Sequence, residues 1–227
     1  MKRTLAKNKS FLLPLALFML LGGILILLQP KATTHLFINQ LHNSFFDAVF
    51  PYITLLGDGV MLLIVVLIFL FISYRYTLLI LSAYAFSSLI TQGLKHFLFQ
   101  NALRPKAFFD GIATLHFVPN VAIHSFHSFP SGHATSSFAL FFCLAMLVKN
   151  NAIKFLLFLM ALVVSFSRVY LSQHFFNDIY AGSLIGVGVS FFCFHIITES
   201  IFINQIKCID KNLLQERKNK NNVLKNK

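Results

Sequence analysis

Acidic side chains are scarce in this chain, with 7 Asp and Glu against 19 Lys and Arg among 227 residues. Charged residues of both signs together make up 11%, well under the roughly one quarter found in soluble domains, and that shortage excludes an ordinary water-solvated surface. Tryptophan is absent, and cysteine is limited to Cys143, Cys193 and Cys208. These three share no paired spacing, so neither a disulfide framework nor a cysteine-based zinc site is expected. Nor do the basic residues collect on one exposed face. They gather at the two ends and in short connections, so the net charge of +12 points to no nucleic-acid partner.

Hydrocarbon takes the place of the missing polar surface: 57% of the residues are hydrophobic. Apolar runs recur along the chain, each close to the roughly 20 residues a helix needs to cross about 30 Å of lipid. They occupy residues 11–28, about 54 or 59 to 74, 76–99, 131–149, 154–171 and 177–202. The expected fold is therefore all-α, an integral membrane bundle of six transmembrane helices with a short interfacial helix in the mixed segment 31–53. A basic N-terminus (1–10) and a basic tail (204–227) flank a membrane domain spanning 11–203. The first run is longer than the 7–15 apolar residues of a secretory signal, and Gln29-Pro30-Lys31 is no small-residue cleavage site, so it reads as a spanning helix.

Six crossings bring both termini to one side. All but five of the Lys and Arg fall on that side, the exceptions being Lys31, Lys95, Arg104, Lys106 and Arg168. The positive-inside rule then makes both termini cytoplasmic and turns the opposite face toward the periplasm of a bacterial inner membrane. The tail, with Lys207, Lys211, Arg217, Lys218, Lys220, Lys225 and Lys227, is expected to extend into the cytoplasm.

On the periplasmic side the topology gathers Lys95, Arg104-Pro105, Pro130-Ser131-Gly132-His133, Ser167-Arg168, His174 and Asp178. The connection 100–130 is longer than the roughly 12–15 residues usual for a structureless loop, which marks it as functional. Charges at the membrane edge are costly and call for a partner. Lys95, Arg104 and Arg168 meet only Asp178, so the missing partner is an anion of about −1.5 to −2, such as a phosphomonoester. Ser131 stands where an N-cap belongs, and a helix start with free amides binds anions. Gly132 permits close backbone approach to an oxyanion. His133, in the first turn, is placed to protonate a departing alkoxide. His174 and Asp178, four apart, share a helical face, so the carboxylate can hold one imidazole nitrogen while the other attacks phosphorus.

These residues carry a resemblance. The chain resembles the type 2 phosphatidic acid phosphatase family, whose signatures are Lys-x6-Arg-Pro, Pro-Ser-Gly-His and Ser-Arg-x5-His-x3-Asp. The second is present as Pro130 to His133, and the third as Ser167-Arg168, His174 and Asp178. The resemblance covers roughly residues 30–200. It implies His174 as nucleophile, Asp178 as its orienting acid and His133 as general acid. Lys95, Arg104, Ser131, Gly132 and Arg168 would bind phosphate. It further implies a phosphohistidine intermediate and a reaction needing neither metal nor other cofactor. Implied substrates are phospholipid, polyprenyl or lipid A phosphates, with lipid phosphotransfer and non-catalytic transport of an anionic lipid as the competing functions.

The first signature departs from the pattern, because eight residues separate Lys95 from Arg104. Nine steps of about 100° would put the two on opposite faces of one helix, so the helix must break between them, near Asn101. His116, His124 and His127 lie in the long loop without a carboxylate or cysteine at ligand spacing, and read as interfacial polar residues. Ser172 and Gln173 read equally well as phosphate contacts or as loop solvation. The oligomeric state is not legible.

Overall fold

The computed structural model describes residues 2–199, 201–206 and 209–215, and among these residues all regular structure is helical. In chain order the helices are α1 (Lys2–Lys7), α2 (Lys9–Leu28), α3 (Lys31–Gln40), α4 (Ser44–Ile53), α5 (Gly59–Leu70) and α6 (Tyr74–Gly93). They continue with α7 (Pro105–Phe108), α8 (Gly132–Leu147), α9 (Asn151–Tyr170), α10 (Phe176–Glu199) and α11 (Ile201–Asn204). Polar caps set several of the boundaries. Asn43 accepts from Phe46 N at the start of α4, and Asn150 accepts from Ala152 N and Ile153 N at the start of α9.

Four helices are long and apolar enough to cross a membrane: α2, α6 with its extension to Leu98, α9 and α10. A fifth span results if Ser44–Gly57 and Gly59–Leu70 are counted as one, although they meet at 52°. The bend has a local cause. Residues Thr54–Gly57 form a 3-10 turn, Ser136 Oγ on α8 donates to Gly57 O at 2.5 Å, and Asp58 restarts the chain by accepting from Gly59 N. A Cβ on Gly57 would stand 2.9 Å from Val164 and 3.1 Å from the His133 carbonyl, so only glycine lets α8 and α9 grip the turn this closely.

The remaining expected run is α8, with 16 residues or roughly 24 Å. Every residue from Ala134 to Cys143 is buried. A helix enclosed by protein need not match the hydrocarbon thickness, which is why this one can be short. The α9 helix starts three residues before the expected position and α10 one residue before it. The segment expected to hold one interfacial helix holds two helices, α3 and α4, because Asn43 caps a second start after the break at Leu41.

Small residues bring α8 and α10 together. A Cβ on Gly182 would lie 2.7 Å from Ser131 O, and one on Gly186 would lie 2.4 Å from Thr135 O. This small-xxx-small spacing lets the two backbones approach more closely than side chains would allow. The tail is less free than its composition implies. Tyr74 N donates to Lys211 O and Arg75 N to Ile209 O, while the Arg75 guanidinium holds Asp210 at 2.6 Å. The expectations for Lys207, Cys208, Arg217, Lys218, Lys220, Lys225 and Lys227 lie outside the described residues.

Candidate active site

The centre of the site is the turn between α9 and α10. Ser172 adopts φ +53°, a left-handed conformation that costs a residue with a side chain about 1 kcal/mol. Buried contacts hold it there: Asn39 Nδ2 donates to Ser172 Oγ at 3.1 Å, and His35 Nε2 lies 3.2 Å from the same oxygen. Asn39 also clamps the long loop, donating to His116 O and accepting from His116 N, both at 2.9 Å. His35 is buried against Phe109 and Phe175, and burial depresses its pKa to about 4.

The reversal at Ser172 delivers His174 two residues ahead of α10, so in place of the expected shared helical face the ring reaches Asp178, in the first turn of α10, from the non-helical turn before it. His174 is 1% exposed, and its Nδ1 lies 3.2 Å from Asp178 Oδ2. That carboxylate oxygen also accepts from Phe175 N at 2.9 Å and from Ser128 Oγ at 2.5 Å. With Nδ1 engaged, Nε2 is the ring nitrogen left unbonded. The pKa of His174 is held well below the ordinary 6.5, first by burial and then by Arg104, Lys95, Arg168 and His133. Three of these neighbours, Arg104, Lys95 and Arg168, are cations, and the imidazole is neutral at pH 7.

Each cation reaches the site differently. Lys95 sits in a π turn, Leu94–Leu98, that ends α6, where Phe99 N donates five residues back to Leu94 O. The helix stops there, slightly before the position expected from the spacing, and an irregular stretch returns the chain to Arg104. Both side chains are buried, and the charges of both act on His174. The long loop fixes Arg104 through Arg104 N to Ser125 O and Arg104 Nε to Phe126 O, at 2.8 and 2.9 Å. Burial lowers the pKa of Arg104, and Asp178 opposes that shift. Arg168, in the last turn of α9, donates to Thr54 Oγ1 at 3.0 Å, and its Nε has no protein acceptor. Among the described residues none of the three cations lies within ion-pair distance of a carboxylate.

The Pro130–His133 segment is joined directly to this centre. Ser131 N donates to Asp178 O at 3.0 Å, and Ser131 Oγ caps α8 by accepting from Ala134 N. The space beside Gly132 is open, since a Cβ there would meet no atom within 4 Å. Thr135 Oγ1 donates to Ser131 O, and Thr91 Oγ1 on α6 donates to Thr135 Oγ1.

Gln173, for which two readings stood open, is fully buried between the arginines. Its Oε1 lies 3.3 Å from Arg104 Nη1 and 3.5 Å from Arg168 Nη2, while Nε2 donates to Ala122 O at 2.7 Å. Of the loop histidines, His116 bonds Asp47 (Nε2 to Oδ2, 2.9 Å) and stacks on His42, and among the described residues no cluster of three or more His, Cys, Asp or Glu has the geometry to hold a metal ion. Ser128, His35 and Asn39 carried no motif signal. The one clue was polar residues placed inside otherwise apolar segments.

Fold and site together define an all-helical membrane protein with a buried, cation-rich pocket around a carboxylate-held histidine. The chain belongs to the PAP2 superfamily, whose model matches residues 76–202, a range containing every residue of the three motifs. Two curated relatives are the lipid A 4'-phosphatase of Bacteroides thetaiotaomicron and the lipid A 1-phosphatase of Rhizobium etli. The first is 34% identical over 37% of this chain and 37% of its own length, and the second 31% identical over 47% and 46%. The chain thus spans less than half the length of either. Among solved structures, Aquifex aeolicus LpxE superposes with a TM-score of 0.63 at 23% identity, covering 70% of this chain and 92% of that one. The PAP2-type phosphatidylglycerolphosphate phosphatase of Bacillus subtilis superposes at 0.61 and 23% identity, covering 88% and 98%. At that identity the likeness establishes the fold.

Proposed function

We propose that this protein is a membrane lipid phosphatase acting through a phosphohistidine at His174. The observation that carries this reading is the buried His174–Asp178 pair, 3.2 Å apart, in the field of three buried cations, none of which lies within ion-pair distance of a carboxylate among the described residues. Asp178 holds Nδ1 and leaves Nε2 to attack phosphorus in line with the lipid oxygen. As the N–P bond forms and the P–O bond breaks, His133 gives a proton to the departing alkoxide. Lys95, Arg104, Arg168, the Ser131 hydroxyl and the Gly132 amide at the start of α8 take the charge on the equatorial oxygens. Water, deprotonated by the now neutral His133, then cleaves the N–P bond and releases inorganic phosphate.

Counting the bent α4–α5 pair as the second crossing and α8 as the fourth gives six spans, both termini cytoplasmic and the site periplasmic. The substrate is a lipid phosphomonoester or pyrophosphate. The relatives' names favour a phosphorylated glycolipid of the lipid A class. The deciding experiment measures phosphate release from purified protein given lipid A, phosphatidic acid, phosphatidylglycerophosphate or polyprenyl pyrophosphate, with His174→Ala alongside. Release from one lipid without an acceptor, abolished by the variant, is the expected result. Release only with an acceptor lipid would make the enzyme a phosphotransferase, and full activity in the variant would end the histidine mechanism.

A further inference from the structure

A second cation-lined space lies at the far end of the bundle. The α10 helix runs from the His174 turn to Glu199, roughly 35 Å away at 1.5 Å per residue. There, the junction of α1 and α2, the α8–α9 connection and the end of α10 enclose a cavity of about 910 Å³. Lys7, Lys149 and Lys154 line it, and Glu199 is its single acid.

Among the described residues none of the three ammonium groups is within ion-pair distance of a carboxylate. Glu199 is already engaged by His195 Nδ1 at 2.8 Å on its own helix. Lys154 is only 4% exposed and donates to the backbone carbonyl of Lys7 at the end of α1, where the charge of the exposed Lys7 side chain disfavours its own; Lys149 is exposed as well. Snorkelling explains a lysine that reaches water from a helix end. It does not explain one folded inward beside another cation, because bringing like charges together in a partly desolvated space raises the energy unless an anion joins them.

We propose that this cavity binds the phosphodiester headgroup of an anionic phospholipid from the leaflet opposite the catalytic site. Its size falls in the range of roughly 300–1,000 Å³ typical of ligand pockets, and basic pockets between membrane helices take such headgroups. The bound phosphate would join α1 to the α8–α9 connection through Lys7, Lys149 and Lys154. The phosphatase centre is not needed for this binding, so the two can be tested apart.

The test uses full-length protein in neutral detergent, titrated with phosphatidylglycerol, phosphatidylcholine of the same chains, or free glycerol phosphate. Bound lipid is read by native mass spectrometry and by the melting temperature. Phosphatidylglycerol should bind and raise the melting temperature, while phosphatidylcholine and free glycerol phosphate should do neither. Each Lys→Gln change at positions 7, 149 and 154 should weaken that binding about fivefold, and the triple change on the order of a hundredfold. Phosphate release from a soluble monoester should stay at the wild-type rate. Should the triple variant fold poorly, Glu199→Gln gives an independent reading, because removing the acid should tighten binding. Equal binding of the zwitterionic lipid, unchanged affinity in the lysine variants, or weaker binding in Glu199→Gln would each overturn the proposal. Binding of free glycerol phosphate as tight as that of the lipid would replace the lipid with a soluble anion and overturn it also.

Discussion

Replacing Gln173 by Glu adds one negative charge with almost no change of shape, at the point where both arginines converge. The side-chain oxygen lies 3.3 Å from Arg104 Nη1 and 3.5 Å from Arg168 Nη2, so a carboxylate there binds the two guanidinium groups in place of a phosphate. Three cations and Asp178 leave the pocket with two surplus positive charges, and the substitution cuts that surplus to one. A carboxylate about 6 Å from a phosphoryl dianion costs about 5 kcal/mol at an effective dielectric of 20 and about 1 kcal/mol in bulk water. Taking about 3 kcal/mol between these limits, kcat/KM should fall roughly a hundredfold, chiefly through KM. Inhibition by inorganic phosphate should weaken in parallel. Gln173→Leu keeps the volume and adds no charge, so it should lose only the amide hydrogen bonds, about tenfold. The assay is phosphate release from a short-chain lipid monoester in detergent, with the melting temperature confirming an intact fold. Unchanged KM and phosphate inhibition in a well-folded Gln173→Glu protein would refute the idea that both guanidinium groups bind the phosphoryl group.

Ser128→Ala removes a 2.5 Å hydrogen bond to the Asp178 carboxylate, and losing a charge-assisted bond worth about 1.5–3 kcal/mol should lower kcat roughly ten- to a hundredfold in steady-state assays. Gly186→Ala forces a Cβ against Thr135 O and should destabilise by about 1–3 kcal/mol, whereas Gly188→Ala, which meets no atom within 4 Å, should be neutral or slightly stabilising, and thermal unfolding compares them. Because the folded pKa of His35 is about 4 against 6.5 in the unfolded chain, its contribution to stability is complete above about pH 6.5 and is lost as the pH falls toward 4. It amounts to about 3 kcal/mol, and His35→Gln should flatten this part of the denaturation profile. The depressed pKa of His174 puts the acid limb of kcat/KM below pH 6.5, and Arg104→Gln, which removes the leading positive neighbour, should move that limb upward.

Much of this arrangement could be read from the chain. The apolar runs located the helices to within a few residues because lipid requires a nearly uninterrupted hydrophobic stretch, and the spacing of His174 and Asp178 pointed to their contact, although His174 stands just ahead of α10 and not on it. Reading from local spacing failed where tertiary contacts decide. Gly57-Asp58-Gly59 marks a break, but the hydrogen bond from Ser136, 79 residues away, that helps to hold the 52° bend is not shown by any local spacing. Lys95 and Arg104 could be told to need a helix break, but the π turn that makes it leaves no pattern in the sequence. Ser128 and His35 act through long-range contacts to Asp178 and Ser172, and a lone polar side chain outside any motif is too common to single out.

The seam of glycines on α10 has a further consequence. With Ser131 N bonded to Asp178 O and Gly186 pressed on Thr135 O, the two signatures that supply nucleophile and proton donor move as one rigid body. Arg104, by contrast, belongs to a long surface loop clamped by Asn39. Substrate preference can therefore be remodelled by exchanging that loop and the interfacial helices, while the reacting atoms keep their mutual distances.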